Sequence, residues 1–377
     1  MIYLDYNATT PLDSRVKEEI IKTFEEFGNP SSIHSFGKKA KEKVELARKK
    51  VAEIIDADPE EIIFTSGGTE SNNIAIFGRA LCFNSGHIIT SSIEHPSVLN
   101  SCRQLQRMGY EVTFLPVDSS GRVCPDDIKK AIKKDTILVT IMHSNNETGV
   151  IQPIKEIGEI LHEYNIPFHT DCAQSIGKVS ISVKDLSVSM LTIAGHKFYA
   201  PKGIGALFIK NGLILHPILY GASHEKGLRP GTENTPFIAG IGKACEIVHQ
   251  ELERIRTHLN SVTGLLLEGL LEIPETMLNS KKALCIPNTI NISIKGIVGD
   301  ELVRNLSEKV AISTGSACHA GVCKPSHVLV AMGLSPDEAL SSIRISTGKF
   351  TTENEVKKAI EIIKNEIFEL RKRRYLH

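Results

Sequence analysis

Short, almost uninterrupted apolar runs alternate along this chain with longer amphipathic segments, and this alternation constrains the fold more than any other feature. The segments between the runs, such as DDIKKAIKK and IKEIGEILHEY, have helical periodicity. Buried strands separated by helices are typical of a mainly parallel sheet covered on both faces. We therefore predict an α/β fold with a mainly parallel seven-stranded sheet, whose strands are EIIFTS (61–66), GHIITSS (86–92), VTFLPV (112–117), ILVTIM (137–142), IPFHTD (166–171), SMLTIAG (189–195) and GALFIK (205–210).

The pattern changes after about residue 255, which predicts a second and smaller domain. NTINISI alternates apolar and polar residues, KVAISTGSAC and SSIRISTG also have strand character, and the chain closes on the charged helix TENEVKKAIEIIKNEIFELRKRR. We predict a large α/β domain over residues 13–255 and a small α+β domain formed by residues 1–12 with 256–377.

Charge and composition argue against several classes of protein. The 44 Lys and Arg residues balance 44 Asp and Glu residues over 377 positions, so we do not expect a nucleic-acid groove. The N-terminal segment MIYLDYNATTPLD has no basic region of a signal peptide, and no apolar run reaches the ~18 residues of a membrane span. We expect a soluble, cytoplasmic protein whose eight cysteines are mostly reduced.

Polar segments follow five of the predicted strands, at the places where ligands bind in open α/β sheets. These segments are TSGGTESNN, SSIEHPSV, HSNNETG, HTDCAQS and AGHKF. Because the carboxyl ends of parallel strands meet at one edge of the sheet, we expect these segments to form one site.

The first of these segments has the character of a phosphate site. Its two glycines, of which Gly68 is the second, allow the backbone to approach a ligand, and Thr69 or Ser71 can begin a helix whose free N–H groups bind an anion. An ordinary glycine turn with a helix cap is the alternative. The segment matches neither a Walker motif nor G-x-G-x-x-G.

Three further residues of the predicted site carry reactive side chains: a carboxylate, an imidazole and an amine. Asp171 follows a strand, where its carboxylate would pair with a cation such as a protonated ring nitrogen, or would cap a helix. His95 has a flat ring that can stack on another flat ring, or it is a structural residue. Lys197 ends an apolar strand, where desolvation lowers the pKa of an amine and makes it a nucleophile toward aldehydes. Together with the phosphate segment, these residues predict a pyridoxal phosphate pocket.

The segment STGSACHAGVCKPSHVL, residues 313–329, allows three interpretations. It is a loop with an incidental cysteine, or it holds zinc through Cys318, His319, Cys323 and His327. We favour the third interpretation, a thiolate at Cys318 on a loop of small residues that swings to a bound substrate, and we predict no metal.

A set of short motifs occurs in order over essentially the whole chain: YLDYNATTPL, GNPSS–H, FTSGGTESNN, SSIEHPSV, NNETG, HTDCAQ, GHKFYAPKGIGAL, RPGTENTP, GSAC, PSHVL and SIRISTG. With these motifs the chain resembles the NifS/IscS-type cysteine desulfurases of the class V aminotransferase family, close to the selenocysteine lyases. The resemblance implies a fold-type I pyridoxal phosphate enzyme that forms a homodimer with its sites near the subunit interface.

The resemblance also implies a role for individual residues around the cofactor ring. Lys197 would bond the cofactor aldehyde and move the Cα proton of the substrate. Asp171 would pair with the pyridinium nitrogen, and Gln174 would hydrogen-bond the ring hydroxyl. His95 would stack on the ring and act as a catalytic residue that assists proton transfer.

Further roles follow from the resemblance at the phosphate and at the substrate. Gly68, Thr69 and His196 would bind the phosphate, with Thr232 reaching it from the partner subunit. Substrate binding and attack are carried by three residues: Asn146 and Arg344 would hold the substrate carboxylate, and Cys318 would take up its sulfur.

The implied reaction converts L-cysteine to L-alanine and leaves a persulfide on Cys318. The sulfur would pass to an acceptor protein, such as an iron–sulfur scaffold, for iron–sulfur cluster or thio-cofactor assembly. Ala194 stands where many desulfurases have serine, which resembles the selenocysteine lyases, so release of selenide from L-selenocysteine is an alternative. Cys323 is either a resolving thiol for Cys318 or a loop residue without a role. Another pyridoxal phosphate enzyme, an aminotransferase or a β-eliminating lyase, is a further alternative.

Overall fold

A computed structural model describes residues 1–315 and 324–375 of the chain. The strands are β1 (Ile2–Tyr3), β2 (Ile62–Thr65), β3 (His87–Ser91), β4 (Glu111–Leu115), β5 (Thr136–Thr140), β6 (Phe168–Asp171), β7 (Met190–Ala194), β8 (Gly205–Ile209), β9 (Thr276–Leu278), β10 (Thr289–Ile294), β11 (Val310–Ala311) and β12 (Ser342–Ser346). The α-helices are α1 (Ser14–Phe24), α2 (Ser35–Glu53), α3 (Gly68–Ala80), α4 (Pro96–Arg107), α5 (Pro125–Ala131), α6 (Ile154–Glu163), α7 (Thr235–Leu271), α8 (Gly299–Leu306), α9 (His327–Ala331), α10 (Pro336–Leu340) and α11 (Glu353–Tyr375).

The largest sheet has seven strands in the order β2-β8-β7-β6-β5-β3-β4. Strand β8 is antiparallel to both of its neighbours, and the pairs from β7 through to β4 are parallel. Every residue of β3, β7 and β8 is buried, as expected for strands covered on both faces. The predicted α/β class and the mainly parallel seven-stranded sheet are confirmed.

A second group of strands is built from the C-terminal part of the chain and from its first residues. Strands β12, β10 and β9 form an antiparallel sheet, and β1 pairs with β11 in parallel. Helices α8 and α11 contribute to the apolar core of this part, with Leu302 and Ile363 fully buried. The N-terminus is therefore held by strand pairing with residues about 300 positions further along the chain.

The long helix α7 belongs to both apolar cores. Its first half, including Ile241 and Cys245, packs in the core of the large sheet, and its second half, including Leu266 and Leu270, packs in the core of the smaller one. One continuous helix thus fixes the position of the smaller sheet relative to the larger. Over the described ranges, no helix combines the length and the apolar character needed to cross a bilayer.

Candidate active site

A cleft of about 350 Å³ opens at the carboxyl ends of the large sheet and brings most of the predicted site residues together. The N-terminal segment and β12 close its other side. The predicted residues that line it are Gly68, Thr69, His95, Asn146, Asp171, Gln174, His196, Lys197 and Arg344.

Lys197 lies in a single 3-10 turn, Gly195–Lys197, directly after β7. Its Nζ donates to two backbone carbonyls, to Asn7 O at 2.6 Å and to Ala8 O at 2.9 Å. Burial, together with the positive charge of Arg344, lowers the pKa of Lys197 to about 8. A substantial fraction of this amine is therefore neutral and nucleophilic near neutral pH.

Asp171 ends β6 and is buried in the cleft, with 7% of its surface exposed. Its Oδ1 accepts from the backbone N–H of Ala173 at 2.9 Å, and its Oδ2 accepts from Asn72 Nδ2 at 2.8 Å. Both donors are uncharged amides. A buried carboxylate that accepts from these two amides among the described residues is suited to a cationic ligand atom, because a cation offsets the cost of its desolvation.

Asn72 is a second polar group directed into the cleft, and it links Asp171 to the other wall. Its Nδ2 also lies 2.8 Å from Ser97 Oγ, while its Oδ1 is buried and has no hydrogen-bond partner among the described residues. Buried polar atoms are almost always satisfied, so an unpartnered oxygen in a cleft indicates a position for a ligand or water.

His95 is the N-cap of α4 and stands at the mouth of the cleft. Its Nδ1 accepts from the backbone N–H of Ser97 at 3.2 Å, which leaves Nε2 as the protonated nitrogen of the neutral ring. Desolvation in the cleft and the nearby charge of Lys197 lower the pKa of His95, although Asp171 opposes this. The neutral ring is therefore the main form at neutral pH, and a neutral ring is suited to stacking.

The start of α3 forms the end of the cleft opposite Arg344. Gly67 is the N-cap and has no side-chain oxygen to accept from the first-turn N–H groups, so these donors are left for a ligand. His196 borders this end, with its Nδ1 3.1 Å from Thr9 Oγ1, and burial lowers its pKa to about 4. Ala194, which stands where many desulfurases have a serine, is buried beside Gly68 and brings no hydroxyl to this end of the cleft.

At the other end of the cleft, Arg344 is directed inward from β12. Its guanidinium donates to Asp5 Oδ1 at 2.8 Å and to the backbone carbonyl of Asn146 at 3.0 Å. Its Nε is buried and has no partner among the described residues. A charged donor held by two fixed contacts and still unsaturated is suited to binding a carboxylate.

Two of the predicted residues are not placed in the cleft. Thr232 lies on an exposed loop before α7 and does not line the cleft. Cys318 lies outside the described residues, as do Cys323 and His319. Among the residues that the structure describes, no group of three or more His, Cys, Asp and Glu side chains is placed to hold a metal.

Both flanks of the segment that carries Cys318 contact the buried side chain of Glu147. Glu147 Oε2 accepts from Ser326 Oγ at 2.5 Å, and a Cβ on Gly315 would lie 2.1 Å from the same oxygen, so a larger residue there would displace the Glu147 carboxyl. Burial raises the pKa of Glu147 to about 7, and Ser326 and Arg344 oppose this rise. The carboxyl is therefore largely protonated below neutral pH.

The comparisons with known proteins agree with this geometry. The family model described as "Aminotransferase class-V" matches residues 2–359. This chain belongs to the aminotransferase class-V family. The chain is 45% identical over 376 residues to a protein named "Cysteine desulfurase IscS" from Dictyoglomus turgidum, which covers 98% of this chain and 95% of that protein. Its identity to "Cysteine desulfurase IscS" from Methanosarcina thermophila is 46% over 374 residues, covering 98% and 93%.

Solved structures of class-V proteins have the same fold. A "NIFS-LIKE PROTEIN" is similar with a TM-score of 0.91 and 37% identity, covering 97% of this chain and 98% of that one. The structure "SspA in complex with cysteine" is similar with a TM-score of 0.82 and 39% identity, covering 93% of this chain and 100% of that one. The resemblance that the motifs predicted is confirmed.

In this class-V chain, sequence reasoning missed the residues that hold the predicted ones in place. These are Asn7, Asn72, Ser97, Glu147 and Lys178. Four of them stand inside the quoted motifs: Asn7 in DYN, Asn72 in SNN, Ser97 in EHPS and Glu147 in NET. The fifth, Lys178, lies four positions after the Gln of DCAQ. A polar residue within each motif was the available signal, but its partner became visible only in the fold.

Proposed function

We propose that this protein is a pyridoxal phosphate-dependent cysteine desulfurase that converts L-cysteine to L-alanine and collects the sulfur on Cys318. One observation carries the proposal: an amine whose pKa is lowered to about 8 shares one cleft with a buried carboxylate that accepts from two uncharged amides. The class-V family and relatives named cysteine desulfurase support this assignment.

The residues of the cleft fit pyridoxal phosphate on chemical grounds. When bound, this cofactor supplies an aldehyde for an amine and a cationic ring that accepts an electron pair from the substrate carbon. Lys197 provides the amine, Asp171 an anion for the ring nitrogen, and the uncapped start of α3 donors for the phosphate. We propose that Gly68, Thr69 and His196 complete the phosphate site and that His95 and Gln174 contact the ring.

The protein side chains have three tasks in the reaction. The carbonyl oxygens of Asn7 and Ala8 orient the Nζ of Lys197, which as a neutral amine accepts the Cα proton of the substrate. Arg344 and the side chain of Asn146 bind the substrate carboxylate, and Asp5 fixes the guanidinium in position.

The third task is sulfur transfer. The Cys318 thiolate attacks the sulfur of the substrate, so that an S–S bond forms while the substrate C–S bond breaks. The products are alanine and a persulfide on the enzyme, and no external oxidant or reductant is needed. Gly315 and Ser326, which flank this segment on its two sides, both lie against Glu147, and the neighbouring residue Asn146 lines the cleft.

We propose a homodimer in which Thr232 reaches the cleft of the partner subunit. Two observations support it: Thr232 is exposed outside its own cleft, and a cluster of apolar side chains is exposed near α1 and α2. This cluster consists of Phe24, Phe27, Ile33 and Phe36, which are 63%, 79%, 91% and 54% exposed. The rings of Phe27 and Phe36 lie against each other with centroids 5.1 Å apart, and exposed apolar side chains grouped in this way are typical of a protein–protein interface. We further propose that the persulfide sulfur passes to an acceptor protein for iron–sulfur cluster or thio-cofactor assembly.

Selenocysteine is the second candidate substrate because Ala194 removes a hydroxyl that many desulfurases have at the phosphate end. A selenol is more acidic than a thiol and leaves more readily, so the same residues would act on both amino acids. Measuring kcat/KM for L-cysteine and L-selenocysteine side by side decides between the two.

The test of the proposed function is a product analysis on the purified protein supplied with pyridoxal phosphate. We expect L-cysteine to yield alanine and one protein-bound persulfide per turnover in the absence of a reductant. Cys318→Ser should abolish persulfide formation and keep the visible absorption of the bound cofactor, whereas Cys124→Ser, at an exposed cysteine outside the cleft, should change neither. Pyruvate as the product would indicate a β-eliminating lyase, and amino transfer to a keto acid would indicate an aminotransferase. Either result would overturn the proposal.

A further inference from the structure

Lys178 is a lysine inside the protein that the proposed chemistry does not use. Only 5% of its surface is exposed, and its Nζ is held by two amide oxygens, Gln174 Oε1 at 2.8 Å and Asn7 Oδ1 at 3.3 Å. Neither partner carries a charge. Burying a lysine costs side-chain entropy and desolvation, so its retention here requires a reason other than an ion pair.

The contacts of Lys178 determine which way the Gln174 amide is turned. Lys178 can only donate in this contact, so the atom of Gln174 that faces it must be the carbonyl oxygen. The NH2 group of Gln174 is thereby directed away from Lys178, and one of its hydrogens is donated to Asn7 O at 2.9 Å. Because Gln174 lines the cleft, its second N–H is available to a ligand there.

Lys178 is also joined to Lys197 through one residue. Asn7 accepts from Lys178 with its side-chain oxygen and from Lys197 Nζ with its backbone carbonyl, the latter at 2.6 Å. Asn7 is 1% exposed, and its Nδ2 donates to Thr289 Oγ1 at 2.8 Å. The backbone atoms of Asn7 therefore have little freedom to move independently of Lys178.

The local backbone places Lys178 beneath the cleft. Gly177 has a φ of 77° and turns the chain back after Gln174, and a Cβ at Gly177 would approach Phe198 Cβ to 3.0 Å. Burial, and secondarily the charges of Lys197 and Arg344, lower the pKa of Lys178 well below its ordinary value. The amine can donate to both amide oxygens in either protonation state.

We propose that Lys178 is a positioning residue that presents Gln174 as a hydrogen-bond donor to the cofactor, so that the site selects a ring oxygen in its deprotonated, acceptor form. This inference rests on the proposed function, because the ring oxygen belongs to pyridoxal phosphate. It assigns Lys178 no contact with the cofactor or the substrate. Lys178 acts by orienting Gln174, and its second hydrogen bond, to Asn7, holds Lys178 itself in place.

The test is a double-mutant cycle on cofactor affinity. Pyridoxal phosphate is removed from the protein and titrated back, with the dissociation constant measured by visible absorption. We expect Lys178→Met to raise this constant about tenfold in the wild-type background and less than about twofold in the Gln174→Met background. Lys184→Met is the control, since Lys184 is exposed and pairs with Asp56 on the surface, away from the cleft.

Two results would overturn the inference: equal effects of Lys178→Met in both backgrounds, or an effect of Lys178→Met no larger than that of Lys184→Met. If Lys178→Met does not fold, as judged by circular dichroism, the cofactor affinity of Gln174→Glu is measured instead. It keeps the acceptor for Lys178 but removes the N–H donors, so we expect it to weaken cofactor binding at least as much as Gln174→Met. Near-wild-type affinity of Gln174→Glu would overturn the inference. A wild-type protein that takes up no pyridoxal phosphate would instead overturn the proposed function, and this inference with it.

Discussion

Glu147→Gln is a substitution whose effect on stability should depend strongly on pH. Gln has nearly the shape of a protonated Glu, and its carbonyl oxygen can accept from Ser326 Oγ as Glu147 does. Glu147 is 3% exposed, so a charged carboxylate at this position has almost no contact with water. The variant therefore replaces a group that ionises in the interior by one that does not.

The magnitude follows from the raised pKa of Glu147. A rise from 4.5 to about 7 on folding corresponds to roughly 3 kcal/mol of unfolding free energy. Because the folded-state pKa is the higher one, this contribution is fully present below about pH 4.5 and is lost as pH rises to about 7. The variant has no such titration, so its stability relative to wild type should increase by ~3 kcal/mol between about pH 4 and pH 8.

The assay is denaturant unfolding of holoenzyme and variant in parallel at several pH values, followed by circular dichroism because the chain has no tryptophan. Subtracting the two curves removes the titration of all other groups. Glu163→Gln, at an exposed position near the end of α6, is the control and should give a difference that does not change with pH. A pH-independent difference for Glu147→Gln would refute the argument that burial keeps this carboxyl protonated.

Four further outcomes are expected. In cofactor-free protein, the rate at which pyridoxal phosphate attaches to Lys197 should rise with pH through a midpoint near 8; a midpoint near the ordinary 10.5 would contradict the lowered pKa of this amine. Asp171→Asn should lower turnover by about 100-fold or more because the ring nitrogen loses its anionic partner, and unchanged kcat would mean that it has another. Arg344→Lys keeps the charge beside Asp5 but loses the planar fork, so KM for L-cysteine should rise about tenfold with a smaller change in kcat; an unchanged KM would remove Arg344 from carboxylate binding. Ala194→Ser adds a hydroxyl near the start of α3 and should tighten cofactor binding by about threefold to tenfold in a titration, whereas weaker binding would mean that the hydroxyl finds no acceptor there.

The sequence predicted the large sheet well because most of its strands are buried along their whole length and are rich in apolar residues, whereas the edge strand β4 is only partly buried. The smaller sheet was harder to predict in detail. KVAISTGSAC suggested a full strand, but β11 has only the two residues Val310–Ala311, because its partner β1 is equally short. The boundary positions 13 and 255 stay a prediction: α7 continues through residue 255 without interruption, so no break in the chain marks that position.

The candidate site was predictable to the extent that its residues stand at strand ends. Asp171 is the last residue of β6 and Lys197 is the third residue after β7, so the parallel topology alone brings them to one edge. Arg344 was assigned through its motif, since nothing in its local pattern places it opposite those strands. Pairings such as Lys178 with Gln174 and Glu147 with Ser326 required the fold, because they depend on side-chain direction and on contacts between distant segments.

The N-terminal segment makes the cleft dependent on both sheets at once. Asp5 accepts a hydrogen bond from Arg344, which lies on β12 of the smaller sheet. Two residues later, the Asn7 carbonyl accepts one from Lys197, which follows β7 of the larger sheet. Asn7 also accepts from Gln174 and donates to Thr289 on β10. Hence the distance between the carboxylate-binding end and the amine depends on a turn that begins at Asp5 and is closed by a hydrogen bond from the Ala8 N–H to the Asp5 carbonyl at 3.0 Å. A substitution that loosens β1 from β11 should therefore weaken substrate binding and amine reactivity together, because Asp5 and Asn7 both belong to the segment that follows β1.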